Sequence, residues 1–279
     1  MSLDIPRAEW RLILSPFADG PANMAVDEAI LRAIAEGKAQ PTLRCYGWAP
    51  PCLSLGYAQS SADVDLPRLA SLGWDLVRRP TGGRAILHTD ELTYSVAARL
   101  TEPRVQGGVV ESYRRLSEGL LAGLRRLGVH VTVQAEPSPA DGQVRGALKA
   151  VCFETPSHYE IMAGGKKLLG SAQVRKRGVV LQHGSLPLAG DMARICDGLR
   201  FDIEAEREAA QAQVRSRATT VEAELGRQVS WEEAARAVAT GFAEALNVEL
   251  VEAELTAREI AEAASLRREK YGNETWNSR

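Results

Sequence analysis

An apolar, strand-like stretch from Trp74 to Val77 runs into Arg78-Arg79-Pro80-Thr81-Gly82-Gly83-Arg84, and the adjacent glycines constrain what this chain can become. Glycine has no Cβ and tolerates positive φ, so the pair predicts a turn that brings bare backbone close to a neighbour. The N–H groups of such a turn can cradle an oxyanion. Two arginines beside it suit an anionic or carbonyl-bearing ligand; a solvated hairpin turn is the alternative. Trp74 to Arg78, Arg84 to His88 and Leu92 to Ala98 read as three strands around this turn.

The remaining pattern alternates between helical and strand periods. Trp10 to Leu14 reads as a first strand. Asn23 then precedes a helix over Met24 to Ala35, where Ala25, Ala29, Ile30, Ala33 and Ile34 recur at helical spacing. Thr42 to Tyr46 and Cys52 to Tyr57 are strand-like, and Asp63 to Leu72 reads as a short helix. Val109 to Leu127 carries an apolar stripe of Val110, Tyr113, Leu116, Leu120 and Leu124, followed by Gly128 at the C-terminal end. His130 to Val133 alternates as a strand, and the polar stretch from Pro137 to Ala147 reads as a loop. Strands follow at Tyr159 to Met162, Leu168 to Val174 and Val179 to Leu186, with Gly164-Gly165 as a tight turn between the first two. After residue 190 helices are expected at Asp191 to Leu199, Glu204 to Gln213, Val221 to Leu225, Trp231 to Leu246 and Ala257 to Lys270. Ser230 and Glu233 form a capping-box pattern.

Composition excludes several classes. The 279 residues suffice for a substantial core without disulfide staples. A net charge of −2 offers no global field for nucleic acid or acidic membranes. The four cysteines, Cys45, Cys52, Cys152 and Cys196, form no C-x-x-C pair, so neither a zinc ribbon nor a thioredoxin motif is supported. No apolar run approaches the roughly 20 residues of a membrane-spanning helix, and Met1 to Pro6 lacks a signal-peptide pattern. The expectation is a cytoplasmic protein with reduced thiols, without a metal or other cofactor.

Cys152, in Val151-Cys152-Phe153-Glu154-Thr155-Pro156, stands apart from the other cysteines because it follows a polar loop, where a nucleophile can be reached. A neighbouring cation would stabilise its thiolate. Lys167 is the candidate, since the Gly164-Gly165 turn folds its strand back along Tyr159 to Met162. Its ammonium could also shuttle a proton to or from a leaving group. The alternatives are an inert core thiol and a solvated lysine at a hairpin end. His88 and His183 could each be a base, a ligand or a structural residue, whereas His130 and His158 are assigned to structure. Arg175-Lys176-Arg177 reads as a solvated turn that could meet an acidic partner.

Several segments together resemble the biotin/lipoate ligase and transferase superfamily. They are Leu43-Arg44-Cys45-Tyr46-Gly47-Trp48, Leu53-Ser54-Leu55-Gly56-Tyr57, Arg78 through His88, Lys167-Leu168-Leu169-Gly170-Ser171-Ala172-Gln173 and Leu181-Gln182-His183-Gly184-Ser185-Leu186. Lys270-Tyr271 and Trp276-Asn277 near the C-terminus extend the likeness over nearly the whole chain. Within the superfamily the chain is most similar to the cysteine-dependent octanoyl–acyl-carrier-protein:protein N-octanoyltransferases. Val151-Cys152-Phe153 matches that family's acyl-thioester segment. Arg84 stands where ATP-dependent lipoate ligases usually carry a third glycine, and Thr89 stands where they commonly carry an Asp.

The resemblance implies an α+β fold: a mixed, mostly antiparallel sheet with helices around it. It divides the chain into a catalytic domain at 8–250 and a helical C-terminal extension at 251–279 packed on it. It implies catalytic roles for Cys152 and Lys167, and substrate-binding roles for Arg79, Gly82, Gly83 and His88 at the acyl carbonyl. The implied donor is octanoyl-acyl carrier protein. The implied acceptor is a lysine on a lipoyl domain such as the glycine cleavage H protein, and the implied state is a monomer. Two rivals remain open. One is an ATP-dependent lipoate–protein ligase, in which Lys167 contacts the phosphate and Cys152 is incidental; the other is a non-catalytic binder of acylated domains.

Overall fold

The structure, a computed structural model, describes residues 5–134 and 160–279. An eight-stranded mixed sheet forms its centre. In chain order its strands are β1 (Ala8–Leu14), β2 (Thr42–Tyr46), β6 (Glu91–Arg99), β7 (Val131–Gln134), β8 (Glu160–Ala163), β9 (Lys166–Lys176), β10 (Val179–Pro187) and β11 (Val248–Glu252). Across the sheet the order is β11-β1-β2-β6-β10-β9-β8-β7. The β11-β1-β2 edge is parallel and the other pairs are antiparallel, as the α+β reading expects. A second sheet of three strands, β3 (Cys52–Leu55), β4 (Asp75–Arg78) and β5 (Ile86–His88), runs in the order β4-β3-β5.

Strand periodicity sorts the faces of the large sheet. On β6, Leu92, Tyr94, Val96 and Ala98 point into the main core beneath α3 (Val109–Arg126) and α6 (Trp231–Leu246). The alternate positions Thr93 and Ser95, with His183 and Ser185 on β10, are polar yet buried. Helices α3 and α6 cross closely because glycines face each other there. A Cβ on Gly241 would lie 2.2 Å from the Gly123 nitrogen.

On the opposite face of the sheet lies α1 (Gly20–Ala35), with Ile30, Leu31 and Ile34 on Ile13, Ala97 and Leu181. This helix starts earlier than its apolar pattern predicts. Asp19 is the cap, accepting the Ala22 N–H at 2.8 Å, and Pro21 fits the first turn. Asn23 lies within the helix, and its amide donates to the carbonyls of Ala18 and Gly47 at 3.1 and 3.0 Å.

The small sheet corrects the hairpin alternative for the Gly82-Gly83 turn. β4 and β5 do not pair with each other, because β3 lies between them, parallel to β4 and antiparallel to β5. The turn therefore carries the chain across β3. α2 (Leu66–Leu72), a 3-10 segment (Met192–Gly198) and α4 (Glu204–Arg217) close the outer side of this sheet with Leu69, Ile195, Ala210 and Val214. A short helix, α5 (Val221–Leu225), precedes α6. The strand β11 was not anticipated: its parallel pairing with β1 supplies the order that its short, half-exposed run does not reveal.

The C-terminal segment, α7 (Ala257–Leu266), a π-helical turn (Arg267–Tyr271) and α8 (Glu274–Asn277), is pinned to β1 and α1 by buried charge. Arg11 binds both oxygens of Glu259 at 3.1 and 2.7 Å. Glu28 accepts from Arg32 at 2.8 Å, Lys270 at 2.5 Å and the Tyr271 hydroxyl at 2.6 Å. Burial alone would raise the Glu28 pKa, but these partners outweigh it and bring it to about 2. A depressed carboxylate contributes stability above its unfolded pKa of about 4.3 that is lost as pH falls towards the folded value. Urea unfolding should therefore show Glu28→Gln less stable than wild type at pH 7, with the gap closing between about pH 4.5 and 2.

Candidate active site

A cavity of about 360 Å³ lies between the two sheets, within the usual range of roughly 300–1,000 Å³ for small-molecule sites. One wall is the α1-side face of the large sheet, from Lys167 and Gly170 on β9 through His183 and Ser185 on β10 to Thr93 on β6 and Tyr46 on β2. That path crosses three strand spacings, roughly 14 Å at about 4.8 Å each. Met24, Trp48 and Ile86 add apolar surface, and the Arg79–Arg84 turn forms part of the opposite wall.

The turn is held by its own arginine. Arg79 Nε donates to the Gly82 carbonyl at 3.2 Å and Nη2 to the Arg84 carbonyl at 2.6 Å. Nη1 donates to the Ser54 carbonyl and hydroxyl, both at 3.0 Å. Arg78 points away from the cavity, donating to the carbonyls of Gly56, Trp276, Asn277 and Arg279 at 2.8, 3.1, 3.1 and 2.6 Å. Gly83 has φ +91°, and its carbonyl passes so close to Gly56 that a Cβ there would sit 2.0 Å from it. The N–H groups of Gly82 and Gly83 donate to no described residue.

Two carboxylate–imidazole–hydroxyl chains reach this turn from opposite sides. In the first, Glu91 Oε1 meets His88 Nδ1 at 2.6 Å, His88 Nε2 meets Ser54 Oγ at 2.8 Å, and Ser54 accepts from Arg79. Burial raises the Glu91 pKa, but His88, Ser185 and Thr93 more than reverse this and hold it below the usual carboxylate range. Trp48 stacks on the His88 ring with centroids 3.9 Å apart. Both His88 nitrogens thus have protein partners, and the residue lines the cavity. In the second chain Asp27 Oδ2 lies 3.5 Å from His183 Nδ1, and His183 Nε2 is 2.6 Å from the Thr81 hydroxyl. Burial lowers the His183 pKa, and with the neighbouring Arg79 and His88 charges it outweighs the opposing pull of Asp27. Burial likewise raises Asp27, but Arg44 and His183 hold it below its ordinary value.

Lys167 is 3% exposed, which removes the solvated-lysine alternative. The β8–β9 hairpin turns at Gly164-Gly165, with φ of +53° and +76°. It brings Lys167 opposite Met162, and Nζ lies 2.5 Å from Glu160 Oε1. Of the expected site residues, Arg79, Gly82, Gly83, His88 and Lys167 line the one cavity. Cys152 and the Pro137 to Ala147 loop lie outside the described residues, as does His158. Glu160, Asp27, Glu91, Ser54 and Thr81 were not singled out from sequence. The available signal was an acidic residue at an inward position: Asp27 on the buried face of α1, and Glu91 and Glu160 at buried strand positions.

Cys45, Cys52 and Cys196 are buried. Burial pushes the Cys45 thiol up to about 12 and that of Cys52 well above its ordinary value. Among the described residues no group of three or more His, Cys, Asp or Glu is arranged to hold a metal, and no helix is long and apolar enough to cross a membrane.

Comparison with known proteins places this geometry. Residues 19–243 match the lipoyl protein ligase A/B catalytic domain. The octanoyltransferase LipM of Symbiobacterium thermophilum is 46% identical over 274 residues, covering 97% of this chain and 98% of that one. The octanoyltransferase LipM of Kyrpidia tusciae is 44% identical over 271 residues, with 97% and 98% covered. Among solved structures, the bipartite lipoate protein ligase of Thermoplasma acidophilum superposes with a TM-score of 0.80 at 26% identity, covering 97% and 96% of the two chains. A lipoate-protein ligase A bound with ATP gives 0.78 at 27%, covering 97% and 98%.

Three outcomes test the packing of the turn and the burial of the thiols. Gly56→Ala is expected to cost about 1–3 kcal/mol in urea unfolding, because its methyl group meets the Gly83 carbonyl. Gly82→Ala, with nothing within 4 Å of its Cβ, should shift stability by less than about 0.5 kcal/mol. Native-state alkylation with iodoacetamide at neutral pH, mapped by peptide mass, should leave Cys45, Cys52 and Cys196 unmodified.

Proposed function

We infer the reaction from one premise: the chain belongs to the octanoyltransferase LipM family, on the lipoyl protein ligase A/B catalytic domain, and is an acyltransferase of lipoate biosynthesis. The donor is octanoyl-acyl carrier protein, the acyl group rests on Cys152 as a thioester, and the acceptor is a lysine of a lipoyl domain, with the glycine cleavage H protein as the preferred example. The observation that supports this most is a buried ammonium, Lys167, on the wall of a mainly apolar slot whose other wall is a glycine turn with uncommitted N–H groups.

The chemistry runs in two balanced halves. The Cys152 thiolate attacks the octanoyl thioester, the new C–Sγ bond forms, and the carrier thiolate leaves with a proton from the Lys167 ammonium. The acceptor amine then attacks the octanoyl-cysteine, a C–N bond forms and the C–Sγ bond breaks. The amine proton returns to Lys167 and Cys152 leaves as thiolate. Gly82 and Gly83 N–H groups suit the oxyanion of each tetrahedral intermediate. Burying the seven carbons beyond the carbonyl is worth about 5–6 kcal/mol at 0.8 per methylene, so the slot can hold the chain without any polar contact to its tail. Exchange between thioesters is near balance and thioester to amide is downhill, so no nucleotide is required.

The relatives favour transfer over ATP-dependent ligation, and a non-catalytic binder would need neither Lys167 nor a thiol in its setting. Cytoplasmic location and a monomeric state fit this reading. The test is to incubate the protein with octanoyl-carrier protein, denature it and weigh it. The expected result is a gain of one octanoyl group that hydroxylamine removes and Cys152→Ser abolishes. No gain during turnover, or full activity in Cys152→Ser, would overturn the covalent route.

A further inference from the structure

The turn that carries the Gly82 and Gly83 N–H groups is a loop, and loops do not hold an oxyanion site to sub-ångström precision unaided. Its central residue, Thr81, is fully buried and does not line the cavity. Its hydroxyl meets His183 Nε2 at 2.6 Å, and its carbonyl accepts the Tyr57 N–H at 2.8 Å. His183 lies on β10, in the middle of the large sheet, paired with Ser95 on one side and Ala172 on the other. Behind it stands Asp27, which also accepts from Arg44 at 2.8 Å, Tyr46 at 2.9 Å and Ser95 at 2.9 Å. The polarity of the chain follows from the charges. A neutral imidazole donates its Nδ1–H to the ionised Asp27, which leaves Nε2 to accept a hydrogen bond from the Thr81 hydroxyl. A rigid strand is thereby connected through one side-chain hydrogen bond to the residue preceding the glycine pair.

We propose that His183 is a positioning residue for acyl transfer: backed by Asp27, it grips the Thr81 hydroxyl and so aims the Gly82-Gly83 backbone at the acyl carbonyl. It takes no proton from substrate. This rests on the octanoyltransferase reading, in which the acyl carbonyl lies at this turn. Misplacement of a catalytic group by about 1 Å can cost 10²-fold, and loss of one oxyanion donor about 10²–10³-fold, so the strut should govern the rate while leaving the apolar slot intact.

The test compares Thr81→Val, which keeps shape and removes the hydroxyl, with Thr81→Ser, His183→Ala and the Thr81→Val/His183→Ala double variant. Octanoyl transfer from octanoyl-carrier protein should show kcat lowered by about 10–100-fold in Thr81→Val, with KM within about threefold of wild type. Thr81→Ser should recover most of that loss. The double variant should be no slower than about threefold below the worse single, because both changes break one connection. A Thr81→Val enzyme at wild-type kcat, or losses that multiply in the double variant, would overturn the proposal. Sodium octanoate, titrated calorimetrically, gives a readout independent of turnover, since its carboxylate occupies the cradle. Its affinity should fall several-fold in Thr81→Val and His183→Ala alike and return in Thr81→Ser; unchanged affinity in Thr81→Val would also refute the strut. Should wild type itself transfer no octanoyl group, the octanoyltransferase reading fails, and the titration still decides the positioning role.

Discussion

The Asp27 carboxylate is the interaction on which this architecture turns. It is fully buried on α1 and gathers Arg44 from β2, Ser95 from β6 and His183 from β10, together with the Tyr46 hydroxyl. Arg44 in turn lies over the Tyr46 ring, 3.9 Å from its centroid, and donates to Asn23 and Ser15. A buried charge with one partner removed typically costs about 3–5 kcal/mol, so the helix and the three strands have one mutual arrangement that avoids this penalty. Apolar packing alone would let α1 slide along the sheet. The carboxylate fixes it, and with it the side of the sheet on which a cavity can open.

From that register the rest of the site follows by alternation. The inward positions of β6 and β10 that face α1 carry Thr93, Ser95, His183 and Ser185, and those facing α3 and α6 include Leu92, Tyr94, Val96, Ala98, Val180 and Leu186. One face of the sheet is therefore a closed core and the other a polar-studded floor. The small sheet supplies the roof; within it Gly56 admits the Gly83 carbonyl, and Gly20 at the start of α1 admits the Cys52 side chain of β3. The hydrogen bonds of the two histidines give the polar groups buried around the slot their partners.

Much of this was legible in the residues, in proportion to how local its cause is. Trp231 to Leu246 is written in a capping box and a helical stripe, and the observed bounds agree. Lys167 was readable because a two-glycine turn leaves little choice about which strand it faces. Two kinds of information were not local. The order β4-β3-β5 depends on which strand slips between two others, so the Gly82-Gly83 turn looked like a hairpin and is a crossover. The carboxylate of Asp27 finds its partners 17 to 156 positions away in sequence, and Glu91 accepts from Ser185, 94 positions away. A single acidic residue in an amphipathic pattern does not announce such a partner, and β11 depends in the same way on β1 as its template.

The frame does not by itself choose the chemistry. Lipoate ligases superpose on it with TM-scores near 0.8 at 26–27% identity, one of them bound with ATP, so the same frame serves enzymes other than octanoyltransferases. What differs is local. The ligase pattern carries a third glycine at the turn. In this chain Arg84 occupies that position and lines the cavity. An acyl group that arrives already as a thioester needs no phosphate room; it needs an apolar slot, two backbone donors at one carbonyl and a cation close to the exchanging sulfurs. In the proposed transfer the second need falls to a turn braced by Arg79 and gripped through Thr81, and the third to the buried Lys167–Glu160 pair on the facing sheet.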